Sequence, residues 1–329
     1  MKPIFETVGV VGTGAMGQGI AQIAAQAGSL VKLYDVQAEA VAKASKNMHQ
    51  QWDKLLEKNR FTAEQVTQFK ANLRTASQLS DLSDCDLVIE AIVERLDIKQ
   101  SFFAELEQIV QPTAVLVTNT SSLSVTAIAS ALKRPAQFAG YHFFNPVPLM
   151  KVVEVIAGLK TDPKVCASLT EYAKQMGHKA VNAQDTPGFI VNHAGRGYGT
   201  EALRIVSEGI ADFATIDRIL KDQAGFKLGP FELMDLTALD VSHPVMESIY
   251  QQYYEEPRYR PSVITAQRLA GGVLGKKVSD GFYKYENGVA QVPSEPPVPL
   301  VNEMPPVWVS TRAVRRAELL QLLKDLGAK

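Results

Sequence analysis

The chain has 329 residues, 46% of them apolar and 21% charged, an ordinary globular composition that excludes collagen-like repeats and wholesale disorder. Its 34 basic and 35 acidic residues leave a net charge of −1, so we expect neither nucleic acid nor an anionic membrane as a partner. Two cysteines are too few for a disulfide framework or a structural zinc site.

No targeting or membrane-spanning segment is visible in the sequence. Residues 1–7 run directly into an apolar stretch and leave no room for a secretory or transit segment. No apolar run approaches the ~20 residues of a membrane helix. These features predict a cytoplasmic protein.

Short apolar runs alternate with helical patterns in the first half of the chain. Strands are predicted at 8–11, 30–35, 87–89 and 115–117, and helices at 15–27, 38–58, from Thr62 onward and at 95–109. This alternation predicts an α/β fold whose mainly parallel sheet is covered on both faces.

The second half of the chain has a different pattern, in which helices dominate. They are predicted at 189–208, 215–224, 231–238, 244–254 and 261–270. We therefore expect an α/β domain over 1–185 and an all-helical domain over 186–290.

A proline-rich stretch and one amphipathic helix make up the remainder, 291–329. The prolines are Pro293, Pro296, Pro297, Pro299, Pro305 and Pro306. Such a density predicts a stiff linker, followed by a helix at 311–326. The pattern favours a chain cut from a longer one, or a helix that docks on a partner.

A glycine-rich loop follows the first strand and opens the first helix. Residues 12–17 read Gly12-Thr13-Gly14-Ala15-Met16-Gly17 and match G-x-G-x-x-G. The glycines allow a tight turn, close approach of a pyrophosphate and close packing of helix on strand. The helix N-terminus offers unpaired N–H groups to the phosphates.

Asp35 ends the second strand, where a carboxylate would bind the ribose hydroxyls of a dinucleotide. Its charge would repel a 2′-phosphate, so the sequence predicts NAD rather than NADP. A glycine turn that binds nothing is the alternative, which the agreement of strand, loop, helix and acid disfavours.

A histidine and a carboxylate are predicted to face each other in a second motif. If strands near 138–141 and 152–156 pair antiparallel about Pro148, His142 lies opposite Glu154. A carboxylate in an apolar strand needs a partner, and it would leave the second ring nitrogen as a base. A structural pair in the core is the alternative; we favour catalysis.

Two polar segments complete the predicted site. Residues 119–122, Asn-Thr-Ser-Ser, follow a strand at the edge where such sheets bind ligands, and Asn192 lies in the first turn of the helical domain. Simple capping and turn roles remain open for both. No His, Cys and Asp cluster has metal-ligand spacing, so no metal is expected.

Several motifs in combination resemble one enzyme family. They are the loop at 11–17 with Tyr-Asp at 34–35, Asn-Thr-Ser-Ser at 119–122, His-Phe-Phe-Asn-Pro at 142–146, Lys-Val-Val-Glu-Val at 151–155, Thr-Pro-Gly-Phe-Ile-Val-Asn at 186–192, Leu-Gly-Pro-Phe-Glu-Leu at 228–233, and Gly-Lys-Lys at 275–277 with Gly-Phe-Tyr at 281–283. The chain thus resembles the L-3-hydroxyacyl-CoA dehydrogenases of the 3-hydroxybutyryl-CoA type. The resemblance implies a Rossmann-like doubly wound domain and a helical domain that forms a homodimer.

The resemblance also implies roles for individual residues. His142 would be the general base and Glu154 its orienting partner, while Ser121 and Asn192 would hold the substrate. The nicotinamide end of the NAD site would be lined by Glu94, Lys99, Ser121 and Asn145.

Three lysines on the helix at 38–58 are candidates for binding the phosphates of coenzyme A. Lys43, Lys54 and Lys58 share one face at helical spacing. A solvated charged face is an equally open interpretation.

The sequence departs from the family pattern at two places in the helical domain. Thr237-Ala238 stands where relatives commonly have Ile-Gly, and Ser279 stands where they have glycine. The proline-rich end resembles longer bacterial relatives, several of which act in aromatic-acid breakdown. A dicarboxylic, 3-hydroxyadipyl-type substrate is therefore open beside a short-chain one.

Two other classes of function are alternatives to this interpretation. A hydroxyacid or sugar-acid dehydrogenase of related fold is the first alternative. Those of the 3-hydroxyisobutyrate type use a lysine base after the cofactor domain, and 189–208 contains no lysine. A non-catalytic binding protein on this fold is the second alternative, and the presence of both His142 and Glu154 counts against it.

Overall fold

The computed structural model describes residues 2–295, 297 and 306–327, and the chain divides into two compact units, 1–290 and 291–329. The strands of the first unit are β1 (Thr7–Val11), β2 (Leu30–Tyr34), β3 (Leu73–Thr75), β4 (Leu87–Glu90), β5 (Val115–Thr118), β6 (Phe138–Phe143), β7 (Val152–Ala157), β8 (Lys179–Gln184), β9 (Tyr285–Glu286) and β10 (Val289–Ala290).

The helices of the first unit surround this sheet and form the region after it. They are α1 (Ala15–Gln26), α2 (Ala38–Glu57), α3 (Ala63–Ala71), α4 (Leu96–Ile109), α5 (Val125–Ala129), α6 (Pro163–Gln175), α7 (Val191–Ala194), α8 (Arg196–Ser207), α9 (Phe213–Asp222), α10 (Pro230–Thr237), α11 (Leu239–Gln252) and α12 (Val263–Ala270). The second unit contains α13 (Arg316–Asp325). No helix in the described parts of the chain has the length and apolar character needed to cross a membrane.

Eight strands form one sheet in the order β3-β2-β1-β4-β5-β6-β7-β8. All neighbouring strands run parallel except β6 and β7, which pair antiparallel. The chain builds outward from β1 to β3 and then returns to the other side of β1 with β4. The carboxyl ends of β1 and β4 therefore flank a topological switch point, where open α/β sheets bind ligands. The mainly parallel, doubly wound sheet predicted from the sequence is confirmed.

Helices cover both faces of the sheet because its central strands are apolar on both sides. Every residue of β4 and β5 is buried. One core includes Met48, Trp52 and Tyr172 from the helices on the first face, and the second includes Phe103 and Ile128 from α4 and α5. A third apolar cluster lies among α8 to α12, around Phe231, Leu239 and Tyr283.

Some elements differ from those predicted. The helix expected at 189–208 is interrupted at Gly195, where an added Cβ would lie 2.8 Å from the carbonyl oxygen of Val191. Helix α11 begins at Leu239 rather than at 244, with Pro244 inside it, and the helix expected at 311–326 is confined to Arg316–Asp325.

Other elements were not predicted. They are β3, β8, α5, α6 and the β9–β10 pair. β3 has three residues, and β8 is an edge strand in which three of the six side chains are polar, so neither has the apolar run of a buried strand. Within the proline-rich stretch, Pro296, Pro299 and Pro305 lie outside the described residues.

Candidate active site

The glycine loop connects β1 to α1 at the switch point. Gly12 has φ of +98°, and a Cβ there would lie 2.4 Å from the carbonyl oxygen of Ala91. A Cβ on Gly17 would lie 1.9 Å from the carbonyl oxygen of Gly12. Gly14 precedes α1 without a side-chain cap, and nothing lies within 4 Å of a Cβ built on it. The first-turn N–H groups of Ala15, Met16 and Gly17 are thus available to a phosphate group.

Asp35 holds the glycine loop in place from the end of β2. Its Oδ2 accepts hydrogen bonds of 2.9 Å from both the backbone N–H and the hydroxyl of Thr13, and its Oδ1 accepts one of 3.1 Å from Gln37. The Asp35 carboxylate lines a cavity of about 400 Å³, together with Gly12, Tyr34 and Ile92. The loop, the carboxylate and the cavity fit the adenosine half of a dinucleotide.

Glu94 organises the loop that follows β5. Its Oε1 accepts hydrogen bonds from the hydroxyl of Thr120 at 2.7 Å, the backbone N–H of Ser121 at 2.8 Å, and Ser122. Burial alone would raise the pKa of Glu94, but the Lys99 ammonium and these hydrogen bonds outweigh burial and lower it. The carboxylate therefore stays ionised and fixes the position of Ser121.

Lys99 is buried beneath this loop, with its side chain 1% exposed. Its ammonium lies 2.5 Å from Glu90 Oε1 and 3.3 Å from Glu94 Oε2. Glu90 also accepts a hydrogen bond of 2.6 Å from Thr118. Lys99 thus stabilises the ionised Glu94 carboxylate through this ion pair. The sequence analysis missed Glu90, although a carboxylate that ends a buried strand is the signal that could have identified it.

His142 and Glu154 lie directly opposite each other in the antiparallel β6–β7 pair, as the sequence predicts. His142 Nδ1 lies 2.6 Å from Glu154 Oε2, and both residues are buried. An ionised carboxylate can only accept, so Nδ1–H donates to it, and in the neutral imidazole Nε2 then carries the lone pair. Within residues 2–295, 297 and 306–327, Nε2 has no hydrogen-bond partner. That nitrogen remains available to a substrate hydroxyl.

The start of the helical domain is bound to the same carboxylate. Glu154 Oε1 accepts hydrogen bonds from the backbone N–H groups of Ile190 at 2.9 Å and Val191 at 3.0 Å. Burial alone would raise the pKa of Glu154, but the hydrogen bonds from His142 and from these backbone groups outweigh burial and lower it. Sequence reasoning missed these two donors, because no local pattern connects residue 154 with residue 190.

Asn192 connects the helical domain to the Ser121 loop. Its side-chain N–H donates to the carbonyl oxygen of Ser121 at 3.2 Å. The loop is also anchored by Asn119, whose side-chain oxygen accepts a hydrogen bond of 2.9 Å from the backbone of Phe143. These contacts bring Ser121 and Asn192 together beside the strand that carries His142.

A second cavity, of about 580 Å³, lies between α1, α2 and the loop after β6. Asn145, Lys54 and Lys58 line it, together with Gln18 and Gln51. Lys43 is exposed on α2 and is not among the lining residues. The structure therefore groups two of the three candidate lysines with Asn145 and separates the third. In the described part of the chain, no three His, Cys, Asp or Glu side chains form a metal-binding group.

The fold and this geometry define a Rossmann-type dinucleotide-binding protein with a buried acid–imidazole pair at the ligand edge of its sheet. Residues 7–186 match the family model of the 3-hydroxyacyl-CoA dehydrogenase NAD-binding domain, and 188–285 match that of the C-terminal domain. The chain therefore belongs to the 3-hydroxyacyl-CoA dehydrogenase family of oxidoreductases, and its cofactor is NAD.

Individual relatives are similar over most of this chain. It is 42% identical over 280 residues to the 3-hydroxyadipyl-CoA dehydrogenase of Escherichia coli K12, an alignment covering 85% of this chain and 59% of that protein. It is 41% identical to a probable 3-hydroxybutyryl-CoA dehydrogenase of Deinococcus radiodurans, covering 84% of this chain and 99% of that protein. A crystal structure of 3-hydroxybutyryl-CoA dehydrogenase from E. coli K12 superposes with a TM-score of 0.86 at 39% identity, covering 94% of this chain and 65% of that one. The chain thus spans less than two thirds of both E. coli proteins.

Proposed function

We propose that this chain is an NAD-dependent L-3-hydroxyacyl-CoA dehydrogenase that interconverts an L-3-hydroxyacyl-CoA and a 3-ketoacyl-CoA. His142 is the general base, and Glu154 orients it. The observation that carries the proposal is the 2.6 Å contact of these side chains at the carboxyl end of β6, in a sheet that binds NAD. Family membership supports the same reaction class.

The reaction begins with proton transfer to the imidazole. His142 Nε2 takes the proton of the 3-hydroxyl group as C3 becomes a carbonyl carbon, and the ionised Glu154 balances the imidazolium that forms. Bound NAD⁺ supplies the acceptor for the hydride that leaves C3 with its electron pair. In the reverse direction, the imidazolium returns its proton to the 3-keto oxygen.

Ser121 and Asn192 position the substrate in this proposal. Both lie at the junction between the sheet and the helical domain, and Glu94 together with Asn192 restrains the Ser121 backbone. Holding the hydroxyl against a fixed base is the protein's main contribution, because orientation removes much of the entropy cost of the reaction.

The glycine loop and Asp35 would hold the adenosine and phosphate part of NAD, and Glu94, Ser121 and Asn145 would line its nicotinamide end, with Lys99 supporting Glu94. Lys54 and Lys58 bind phosphate groups of coenzyme A as point charges, which their shared cavity supports. Nothing in the structure supports the same role for Lys43.

We retain the domain division at 185 and 290 as part of the proposal, as well as a homodimer formed through the helical domain. Exposed apolar side chains in that domain support an interface: Leu236 is 56% exposed and Val241 is 58% exposed. Light scattering on the purified protein measures this directly, and a monomer at micromolar concentration would contradict it. The cytoplasmic location and a role in aromatic-acid catabolism stay predictions.

Oxidation of NADH in the presence of acetoacetyl-CoA, followed by absorbance, tests the proposed function. We expect turnover by the wild-type chain and a kcat that is about 10²–10⁴-fold lower in His142→Gln, with NAD affinity intact. His49→Gln is the matched control, since His49 lies on α2 and its buried Nε2 has no hydrogen-bond partner in the described part of the chain.

Two outcomes would contradict the proposal in different ways. No turnover by the wild-type chain at high enzyme concentration would favour a non-catalytic binding protein. Unchanged kcat in His142→Gln, or a loss that comes entirely from weaker NAD binding, would remove His142 from the role of base.

A further inference from the structure

Arg196 lies one helical turn beyond Asn192 and opens α8. Its Nε donates a hydrogen bond of 3.2 Å to the backbone carbonyl oxygen of Asn192. Residues four apart in a helical run lie on the same face, about 6 Å apart along the axis. The guanidinium is thereby tied to Asn192, the residue whose side chain contacts the Ser121 loop.

Among the residues that the structure describes, no carboxylate pairs with this guanidinium. No Asp or Glu among residues 2–295, 297 and 306–327 lies within 4 Å of it, and its terminal N–H groups donate to none of them. Burial lowers the pKa of Arg196, and no acidic group acts in the opposite direction. By contrast, the partly buried Arg134 approaches Glu107 and donates to its backbone. An uncompensated, partly buried cation is costly unless a ligand brings the missing anion.

The ligands of the proposed reaction carry only a few kinds of anionic group that could pair with Arg196. In the proposed function, the phosphates of NAD lie at the N-terminus of α1 and those of coenzyme A lie in the cavity lined by Lys54 and Lys58. Neither place includes a residue of α8. The thioester and the 3-hydroxyl of the acyl group are uncharged. A carboxylate at the far end of the acyl chain is the remaining anion, and its two oxygens match the planar fork of a guanidinium.

We propose that Arg196 determines specificity for acyl-CoA substrates whose chain carries a second, terminal carboxylate. This inference rests on the proposed function and names its substrate class. Arg196 binds the terminal carboxylate and takes no part in proton or hydride transfer. The same contact discriminates against an acyl chain of equal length that ends in a methyl group, because the guanidinium is then left unpaired.

The test compares two substrates of equal chain length, 3-hydroxyadipyl-CoA and 3-hydroxyhexanoyl-CoA, with NAD⁺ in excess. For the wild-type chain we expect kcat/KM to be at least about tenfold higher with the dicarboxylic substrate. In Arg196→Gln this ratio falls about 10–100-fold, while kcat/KM for 3-hydroxyhexanoyl-CoA stays within about threefold. Arg196→Lys keeps the charge and retains part of the preference.

Arg204→Gln is the matched control on the same helix. Arg204 is exposed and lies 3.0 Å from Glu208, so its loss removes one positive charge without touching the site. We expect its substrate ratio to equal that of the wild-type chain.

Each result decides one question. A wild-type chain without preference for the dicarboxylic substrate overturns the inference even if no Arg196 variant folds. An equal loss for both substrates in Arg196→Gln, without recovery in Arg196→Lys, also overturns it, because Arg196 then acts only by positioning Asn192. If neither substrate is oxidised by the wild-type chain but acetoacetyl-CoA is reduced, the inference fails and the proposed function stands; if no acyl-CoA reacts, the proposed function itself fails.

Discussion

Replacing Glu154 by glutamine tests the acid–imidazole pair directly, because the two side chains have the same shape and differ in charge. Glu154 accepts three hydrogen bonds, from His142 Nδ1 and from the backbone N–H groups of Ile190 and Val191. Glutamine has one acceptor oxygen and one donor NH₂ group. It therefore cannot accept on both sides.

The backbone N–H groups of Ile190 and Val191 fix the orientation of the glutamine side-chain amide. If the amide oxygen keeps the hydrogen bonds from the backbone N–H groups of Ile190 and Val191, the NH₂ group faces His142 Nδ1. That nitrogen must then accept a hydrogen bond instead of donating one. The imidazole proton moves to Nε2, the nitrogen that has to take the proton of the substrate. We expect kcat to fall about 10²–10⁴-fold, the usual cost of losing a general base.

The lost charge also moves the pH dependence. The ionised carboxylate of Glu154 lies 2.6 Å from the ring and attracts the imidazolium, whereas the neutral amide of glutamine does not. The imidazolium loses its counter-charge, so the acidic limb of kcat/KM moves to lower pH.

Stability at acid pH changes in a direction that follows from the lowered pKa of Glu154. A carboxyl group with a lowered pKa stabilises the fold above its ordinary value of 4.5, and this contribution is lost as the pH falls through the lower, folded value. Urea unfolding of Glu154→Gln should therefore show a weaker loss of stability below pH 4.5 than the wild-type chain.

Steady-state oxidation of L-3-hydroxybutyryl-CoA by NAD⁺ from pH 5 to 9, the direction in which His142 must be unprotonated, measures the first two effects. Glu171→Gln is the matched control, because Glu171 is exposed on α6 and pairs with the exposed Lys174. An unchanged kcat and an unchanged acidic limb in Glu154→Gln would refute the reasoning, since the pair would then be structural.

Two further substitutions test other parts of the molecule. Asp35→Ser should reduce the preference for NAD over NADP at least about tenfold in kcat/KM, because the carboxylate no longer repels a 2′-phosphate; an unchanged ratio would show that Asp35 is not the discriminator. Ala238→Gly should raise the free energy of unfolding by about 1 kcal/mol, because Ala238 has φ of +65° and ψ of 139°, a conformation that glycine adopts without strain. Urea denaturation measures the second effect, and a lower midpoint in Ala238→Gly would contradict it.

The backbone conformation of Ala238 explains why a departure from the family pattern at this position affects stability. Both positions where relatives have glycine, Ala238 and Ser279, have positive φ here, of 65° and 60°. The sequence alone shows that a glycine is missing. Only the backbone shows that the replacement occupies a conformation that favours glycine.

Local chemistry determined a large part of the fold and of the site. The glycine loop, the acid after β2 and the alternation of apolar runs with helical patterns are short-range features, so they could be predicted residue by residue. The pairing of His142 with Glu154 was also accessible, because a hairpin about Pro148 fixes which residues face each other.

The contacts that tertiary structure decided join residues far apart in the chain. The backbone donors of Ile190 and Val191 reach Glu154, and the hydroxyl of Thr118 reaches Glu90. The same holds for the isolated charge of Arg196 and for the separation of Lys43 from the cavity of the other two lysines. A sequence shows which groups carry charge. Which of them meet, and which are left without a partner, depends on how strands and helices cross in space, and no local pattern encodes that packing.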